Sequence, residues 1–421
     1  MKVSIKFLVL LLLLIAFGCR KAVERKSCTD IVGLVINERY AHLEDTLAHY
    51  AALGHVPGGV AMVYEKDEVV LHLPFGYSNL ADEIRSEITD VFRIASMSKQ
   101  ITAVAAMILF DEGKFDLDDP LGDFLPEFKD PVILQSVNMN DTSFMASPAQ
   151  NQITIRHLLT HSAGMYYGFD NDSLSALISK SGFNMGITKE NITLKENIQR
   201  LATLPLLHEP GEQYHYGVEI DVLGRLIEVI TQKPFDQFLE DRLFHPLGMY
   251  DTHFYLPPSK SEMLVPMYMS TGEGVRPAIL PDTDFPITGA GTLFMGGAGL
   301  SSTACDYFLF CRMLLNGGAA RGQQIISPET VEMITSPQVS RNGNSKGLGF
   351  GVVSDSNYYR PRSTGSYYWG GMFSTFFWVD PSKELIAILM LQMFPFHDYD
   401  ILDAFEASIY DVIDADSSRY N

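Results

Sequence analysis

The most informative segment of the chain reads Phe92-Arg93-Ile94-Ala95-Ser96-Met97-Ser98-Lys99, and it runs into an apolar stretch, residues 101–110, with the spacing of a helix. Gly113 follows at a position typical of a helix C-cap. Side chains three residues apart lie on one face of a helix, with Cβ atoms about 5–6 Å apart. The sequence therefore predicts that the Ser96 hydroxyl meets the Lys99 amine at the start of this helix.

Such a pair has a specific chemistry. A serine hydroxyl becomes a good nucleophile when a neighbouring base takes its proton, and a lysine serves as that base when burial and other cations lower its pKa. A Ser-x-x-Lys spacing also arises by chance about once in a chain of this length. However, Ser96 and Lys99 form the only instance here, and the lysine lies on an otherwise apolar helix. Both are therefore candidate catalytic residues.

The remaining pattern predicts an α+β fold. A hairpin of strands 60–64 and 69–73 around a Lys66-Asp67 turn opens the chain, and strands 347–353, 375–379 and 385–391 close it. We expect an antiparallel sheet completed by both chain ends, flanked by helices and holding a largely helical inserted subdomain, about residues 117–300. Residues 136–152 are interpreted as a surface loop. The predicted helices cover residues 34–53, 117–128, 154–160, 221–231, 235–243, 304–316 and 400–413.

The Ser-x-x-Lys element resembles the nucleophile motif of serine β-lactamases and penicillin-binding proteins. Other segments are similar to the class C β-lactamase and family VIII carboxylesterase branch, and the resemblance covers residues 40–412. It implies the β-lactamase-like form of the α+β fold. The similar segments are Ile153-Thr154-Ile155-Arg156-His157-Leu158-Leu159-Thr160-His161-Ser162-Ala163-Gly164, Pro210-Gly211-Glu212, Gly296-Gly297-Ala298-Gly299-Leu300-Ser301-Ser302-Thr303, Trp369-Gly370-Gly371 and Trp378-Val379-Asp380-Pro381.

The second motif of that family is Tyr-x-Asn, whose tyrosine acts with the lysine as general base. Tyr216 matches the tyrosine, but Val218 replaces the asparagine, which is more similar to the esterase branch than to the β-lactamases. The resemblance implies a catalytic role for Tyr216. Tyr216 can alternatively be an ordinary buried tyrosine that shares a pocket with Tyr214.

The third motif, Lys-Thr-Gly or His-x-Gly, corresponds to Trp369-Gly370-Gly371-Met372, which has no cation. The resemblance implies that the backbone N–H groups of Ser96 and Met372 form the oxyanion hole and that Trp369, Gly370 and Gly371 contact the substrate. Because Trp369 replaces the cation that grips a carboxylate, we expect a shift towards apolar or aromatic groups. A purely structural, core role for Trp369 remains open.

Metal and cofactor chemistry is not expected. His157 and His161 have an i, i+4 spacing that suits a metal, but no glutamate or third ligand follows at a metalloenzyme spacing. Residues 289–299 are glycine-rich but contain no lysine suited to phosphate. That segment is interpreted as a loop near the active site.

Charge limits the partners. The 421 residues include 51 acidic and 31 basic side chains, a formal charge of −20 that repels nucleic acid and anionic lipid. We therefore expect a small ester, amide or peptide substrate and no nucleic acid. Any membrane association is expected through an N-terminal lipid anchor.

The N-terminus predicts export. Residues 1–18 have the pattern of a signal peptide that ends just before Cys19, the candidate lipidation site. We expect a linker over residues 19–36, a catalytic domain over 37–415 and a tail over 416–421, in a periplasmic or outer-membrane lipoprotein. Cys305 and Cys311 are predicted to be buried thiols, and Cys28 has no evident partner.

Taken together, the sequence predicts a serine hydrolase that forms an acyl-enzyme, with esters preferred as substrates. A β-lactamase or D-amino-acid peptidase acting on cell-wall material is the second hypothesis. A non-catalytic binding protein that retains the fold is the third.

Overall fold

The computed structural model describes residues 27–417 except 170, 187, 272, 279–283, 342–343, 355–359 and 398–399. The predicted signal peptide over residues 1–18, the candidate lipidation site Cys19 and residues 418–421 of the predicted tail lie outside this range.

A ten-stranded antiparallel sheet forms the centre of the molecule, and it joins the two ends of the chain. Gly58–Glu65 pairs with Leu385–Met390, with Tyr64 opposite Ile386. This confirms the predicted sheet and the β-lactamase-like α+β fold. In spatial order the strands are Val35–Ile36, Glu68–Asn79, Gly58–Glu65, Leu385–Met390, Thr375–Asp380, Tyr367–Gly371, Gly351–Val352, Asn344–Lys346 and Val339–Arg341, with Ile84–Arg85 paired to Glu68–Asn79.

Both faces of this sheet are buried. Along Gly58–Glu65, Val60 and Met62 face one core while Ala61 and Val63 face the other, because strand side chains alternate between faces. The first core includes the helices Ser98–Asp111 and Ala304–Leu315, and the second includes His42–Ala52 and Asp400–Ser417. The helix that begins just after Ser96 is therefore held between the sheet and the helical part.

The helical part fills the chain between the two groups of strands. Within the described residues no helix is long and apolar enough to cross a bilayer. The α-helices of the helical part are Leu121–Phe124, Ile155–Leu159, Asp172–Ser181, Leu194–Leu201, Glu219–Thr231, Phe235–Leu239, His245–Leu247 and Pro328–Thr335, with a π-helical turn over Glu240–Phe244 and 3₁₀ turns over Pro126–Phe128 and Pro258–Met263. Two further 3₁₀ turns, Glu38–Tyr40 and Pro381–Lys383, lie among the strands of the sheet. The N-terminal helix is Cys28–Val32, and short strand pairs are Phe92–Arg93 with Ser301–Ser302, Tyr268–Thr271 with Gly274–Pro277, and Ala319–Ala320 with Gln323–Gln324.

Several local predictions were wrong. The helix predicted over residues 34–53 begins only at His42, after the edge strand Val35–Ile36. The predicted surface loop 136–152 contains much of a hairpin, Val132–Asn138 paired with Ser143–Pro148. The second strand is exposed along its whole length, so it lacks the alternation by which a half-buried strand is recognised. The helix predicted over 117–128 is broken into short turns, because Pro120 and Pro126 cannot continue a helical hydrogen-bond ladder.

The cysteine predictions were partly wrong. Cys28 is bonded to Cys305 with a Cα–Cα distance of 5.6 Å, so Cys305 is not a free thiol. This bond ties the N-terminal helix to the helix Ala304–Leu315. Cys311 is a buried free thiol, as predicted.

Candidate active site

Ser96 lies in a strained turn at the entrance of its helix. The 3₁₀ turn Ala95–Met97 precedes the helix Ser98–Asp111, and Ala95 has a φ of +44°. A left-handed conformation costs a residue with a Cβ about 1–2 kcal/mol, and such strain clusters at functional sites. Ser96 is half-buried while Ala95 and Met97 are fully buried, so the turn presents one hydroxyl at the surface of a packed core.

Lys99 reaches Ser96 from inside the core. Its side chain has 0% exposure, and its Nζ lies 3.3 Å from Ser96 Oγ. Nζ also donates to the hydroxyl of Tyr167 and to the carbonyl oxygen of Gly297, both at 2.8 Å. In the part of the chain that the structure describes, no carboxylate forms an ion pair with this amine. Ser96 and Lys99 therefore meet as the sequence predicts.

Tyr216 completes the cluster from the segment before the helix Glu219–Thr231. Its hydroxyl donates to Ser96 Oγ at 2.7 Å. Lys99 Nζ also lies 4.9 Å from the Tyr216 ring centroid and 5.2 Å from that of Tyr167. Sequence reasoning missed Tyr167, which is half-buried and whose pKa desolvation raises well above the usual range.

The buried residues His161 and Glu219 form a pair that packs against the Tyr216 ring. His161 Nδ1 lies 2.9 Å from Glu219 Oε2, and the His161 ring packs on Tyr216 with centroids 5.0 Å apart. Burial raises the pKa of Glu219 and, together with the nearby Lys99 and Lys346 cations, lowers the pKa of His161. Both directions favour a neutral pair at neutral pH. Glu219 was not predicted, and only the fold brings it to His161.

His157 and His161 do not converge on a metal. His157 Nδ1 instead accepts from the backbone N–H of Thr154, in a capping box at the start of Ile155–Leu159. Within the described ranges no group of three or more potential ligands could hold a metal ion.

The glycine-rich loop passes beside Lys99, as predicted for residues 289–299. The backbone N–H of Gly297 donates to Asp221 Oδ1 at 2.6 Å, which fixes the carbonyl that accepts from Lys99. A Cβ at Gly297 would lie 2.6 Å from Asp221 Oδ2, so the close approach requires glycine. Burial raises the pKa of Asp221 to about 6, although Lys99 acts in the opposite direction.

The strand Tyr367–Gly371 forms the opposite wall. A Cβ at Gly371 would overlap the carbonyl oxygen of Ile94, so the strand packs directly on the turn that carries Ser96. The Trp369 ring lies 5.9 Å from that of Tyr216, and it is half-buried rather than a core aromatic. Met372 follows the strand with its side chain 42% exposed. The structure thus brings the predicted substrate-contact strand beside Ser96, Lys99 and Tyr216.

A second lysine lies on this wall. Lys346, on the strand Asn344–Lys346, places Nζ 4.6 Å from the Trp369 ring centroid and 5.5 Å from that of Tyr214. Burial lowers the pKa of Lys346 to about 8. The sequence motif gave no indication of this cation, because it comes from a strand two places away in the sheet.

The sheet, the turn and the Ser96–Lys99–Tyr216 cluster define a protein of the serine β-lactamase fold. The model of the Beta-lactamase family matches residues 43–410, and the chain belongs to this family of serine hydrolases, which has esterase and acyltransferase members. Protein Rv1367c of Mycobacterium tuberculosis is 32% identical over 81% of this chain and 87% of its own length. Esterase EstB of Burkholderia gladioli is 27% identical over 79% of this chain and 85% of its own. The solved structure of EstCE1, described as a hydrolase with promiscuous acyltransferase activity, has a TM-score of 0.76 at 24% identity, covering 89% of this chain and 99% of that one.

Proposed function

We propose that this protein hydrolyses esters through an acyl-enzyme on Ser96. The observation that carries the proposal is the contact of Ser96 Oγ with both Tyr216 OH, at 2.7 Å, and Lys99 Nζ, at 3.3 Å. Two groups able to move a proton thus lie within reach of one partly exposed hydroxyl.

In the first step Lys99 acts as an uncharged amine: Ser96 Oγ forms a bond to the substrate carbonyl carbon, the carbonyl π bond opens to an oxyanion, and the Ser96 proton passes to Lys99 Nζ, directly or through the Tyr216 hydroxyl. The tetrahedral intermediate collapses when the bond to the ester alcohol breaks, and the alcohol leaves with that proton. Water then attacks the acyl carbon, gives a proton to the same pair and releases the acid, which restores Ser96. An alcohol in place of water completes an acyl transfer instead.

The negative charge that develops on the substrate carbonyl oxygen must be stabilised by hydrogen-bond donors. We propose the backbone N–H groups of Ser96 and Met372 for this role, since the strand before Met372 packs on the turn of Ser96. Trp369, Gly370 and Gly371 would then line the path of the substrate.

Ester substrates are favoured over β-lactams for two reasons. The Tyr216-Gly217-Val218 segment lacks the asparagine that would bind a substrate amide, and Trp369 occupies the place of the motif's cation. The relative EstB is itself an esterase by name.

The test is hydrolysis of p-nitrophenyl butyrate, with a chromogenic cephalosporin assayed in parallel. We expect the wild type to hydrolyse the ester, to leave the cephalosporin intact and to be labelled by a fluorophosphonate probe. Ser96→Ala should lose both the labelling and the ester hydrolysis, while the buried Ser98→Ala serves as the neighbouring serine control for labelling. A wild type that is neither labelled nor active would favour a non-catalytic binding protein, and rapid cephalosporin hydrolysis would favour a β-lactamase.

We further propose export to the periplasmic side, with Cys19 as lipid anchor. The disulfide between Cys28 and Cys305 supports this, because structural disulfides persist mainly in oxidising compartments.

A further inference from the structure

Lys346 is a cation beside the candidate active site that the proposed reaction does not use. It is half-buried, and its Nζ lies over the faces of Trp369 and Tyr214. Among the described residues no carboxylate lies within ion-pair distance of it, and no hydrogen bond holds its ammonium group.

Such a placement leaves the ammonium group incompletely satisfied. An ammonium has three N–H donors, and in the described part of the chain no protein atom accepts from those of Lys346, so they remain available to a ligand. The aromatic faces offer a cation–π attraction of about 0.5–2 kcal/mol, which orients the group without accepting its hydrogen bonds.

The position of Lys346 relates it to the substrate path. Its aromatic support, Trp369, packs within 5.9 Å of Tyr216, whose hydroxyl contacts Ser96. A substrate lying along the strand Tyr367–Gly371 would therefore pass close to Nζ. In a protein with a formal charge of −20, the Lys346 cation creates a local positive region that would attract an anionic group.

We propose that Lys346 binds an anionic group, such as a carboxylate, on the ester substrate and so determines specificity. This inference rests on the proposed function, and it concerns a cation on the strand Asn344–Lys346 rather than at the position of the third motif. The preferred substrates are therefore esters with a negative charge away from the scissile bond.

The experiment compares anionic and neutral esters of matched size. In the first pair the acyl group carries the charge: p-nitrophenyl hemiglutarate is anionic and p-nitrophenyl valerate is neutral. In the second pair the leaving alcohol carries it: 4-butyryloxybenzoate is anionic and phenyl butyrate is neutral. The variants are Lys346→Gln, Lys346→Arg and, as a control for net charge, the exposed Lys114→Gln. Thermal unfolding of each variant checks that it folds.

We expect Lys346→Gln to lower kcat/KM for the anionic member of at least one pair by about 10- to 100-fold, the range for a hydrogen bond between charged groups. The kcat/KM values for the neutral esters should change by less than about twofold, because the acyl-transfer steps are the same for both members of a pair. Lys346→Arg should retain most of the preference, and Lys114→Gln should behave as wild type. An unchanged ratio of anionic to neutral rates in both pairs would overturn the inference while leaving the esterase proposal intact, whereas a wild type inactive on all four esters would instead refute the proposed function.

Discussion

Two phenol hydroxyls lie beside the Ser96–Lys99 pair, and they occupy different positions. Tyr216 donates to Ser96 Oγ, whereas Tyr167 accepts from Lys99 Nζ. Only Tyr216 can therefore exchange a proton directly with the proposed nucleophile. Tyr167 is placed to orient the amine.

Tyr216→Phe should lower kcat for ester hydrolysis by about 10²- to 10⁴-fold, the usual range for a lost acid–base group. KM should change little, because the phenol acts on the reacting hydroxyl. The measurement is a steady-state kinetic comparison on p-nitrophenyl butyrate. Tyr166→Phe is the matched control, since the Tyr166 hydroxyl is buried with no hydrogen-bond partner in the described chain. Equal kcat values for Tyr216→Phe and the wild type would remove Tyr216 from the mechanism.

Asp221 makes a pH-dependent contribution to stability. Burial raises its pKa from 3.8 to about 6, so at intermediate pH the folded protein retains a proton that the unfolded chain has released. The stability that this proton provides is complete below about pH 4 and is lost as the pH rises through about 6.

In Asp221→Asn, the free energy of unfolding relative to wild type should therefore rise by about 3 kcal/mol between about pH 4 and pH 7. Denaturant unfolding over that pH range measures it. Asp90 and Asp306, whose pKa burial also raises to about 7, are present in both proteins and cancel. A difference that does not vary with pH would show that Asp221 titrates normally.

At the scale of single residues, the sequence could predict those site residues that are close together in the chain or belong to a family motif. Ser96 and Lys99 are one helical turn apart, so their meeting follows from helix geometry alone. Tyr167, Glu219 and Lys346 could not be predicted, because each reaches the cluster through a separate element and none has a distinctive local pattern.

At the scale of elements, the contact of the strand Tyr367–Gly371 with the turn of Ser96 depends on a missing side chain. Gly371→Ala would place a methyl group against the carbonyl of Ile94 and the hydroxyl of Thr375. We expect a loss of about 1–3 kcal/mol in stability, typical of overpacking. A displacement of about 1 Å in the site should cost up to about 100-fold in kcat.

Gly370→Ala on the same strand is the matched control for this effect. Its added Cβ would lie 3.1 Å from a ring carbon of Phe376, which can shift. Chemical denaturation and ester kinetics of both variants provide the measurements. If Gly371→Ala matched Gly370→Ala in both, the close contact would have no role in placing the strand.

The predictions of helices and strands succeeded where the apolar residues clearly followed either the helical or the strand periodicity. The helices Glu219–Thr231 and Ala304–Leu315 and the strands Thr375–Asp380 and Leu385–Met390 lie within a few residues of their predicted bounds. The hairpin ending at Pro148 was missed because its two strands are held by pairing with each other and have no buried face that would give an apolar pattern.

At the scale of the whole molecule, the bond between Cys28 and Cys305 closes a covalent loop across most of the chain. Cys28→Ser should lower the free energy of unfolding by about 2–4 kcal/mol, chiefly because the unfolded chain gains freedom. Thermal unfolding with and without reductant measures this.

The same measurement contains its own control. Reductant should destabilise the wild type to the level of Cys28→Ser and leave that variant unchanged. Identical unfolding midpoints of the oxidised and reduced wild type would contradict the prediction. The sequence could not predict this bond, because the two cysteines lie 277 positions apart and only the tertiary fold brings them together.

The pairing of Gly58–Glu65 with Leu385–Met390 also governs when the protein can fold during its synthesis. Until the ribosome has released the last strands, the first hairpin has no neighbour on one edge, and its apolar side chains have no completed core to enter. The central sheet can therefore be completed only when translation is nearly finished. Under the export that we propose, the chain would then reach a translocation channel before its central sheet is complete.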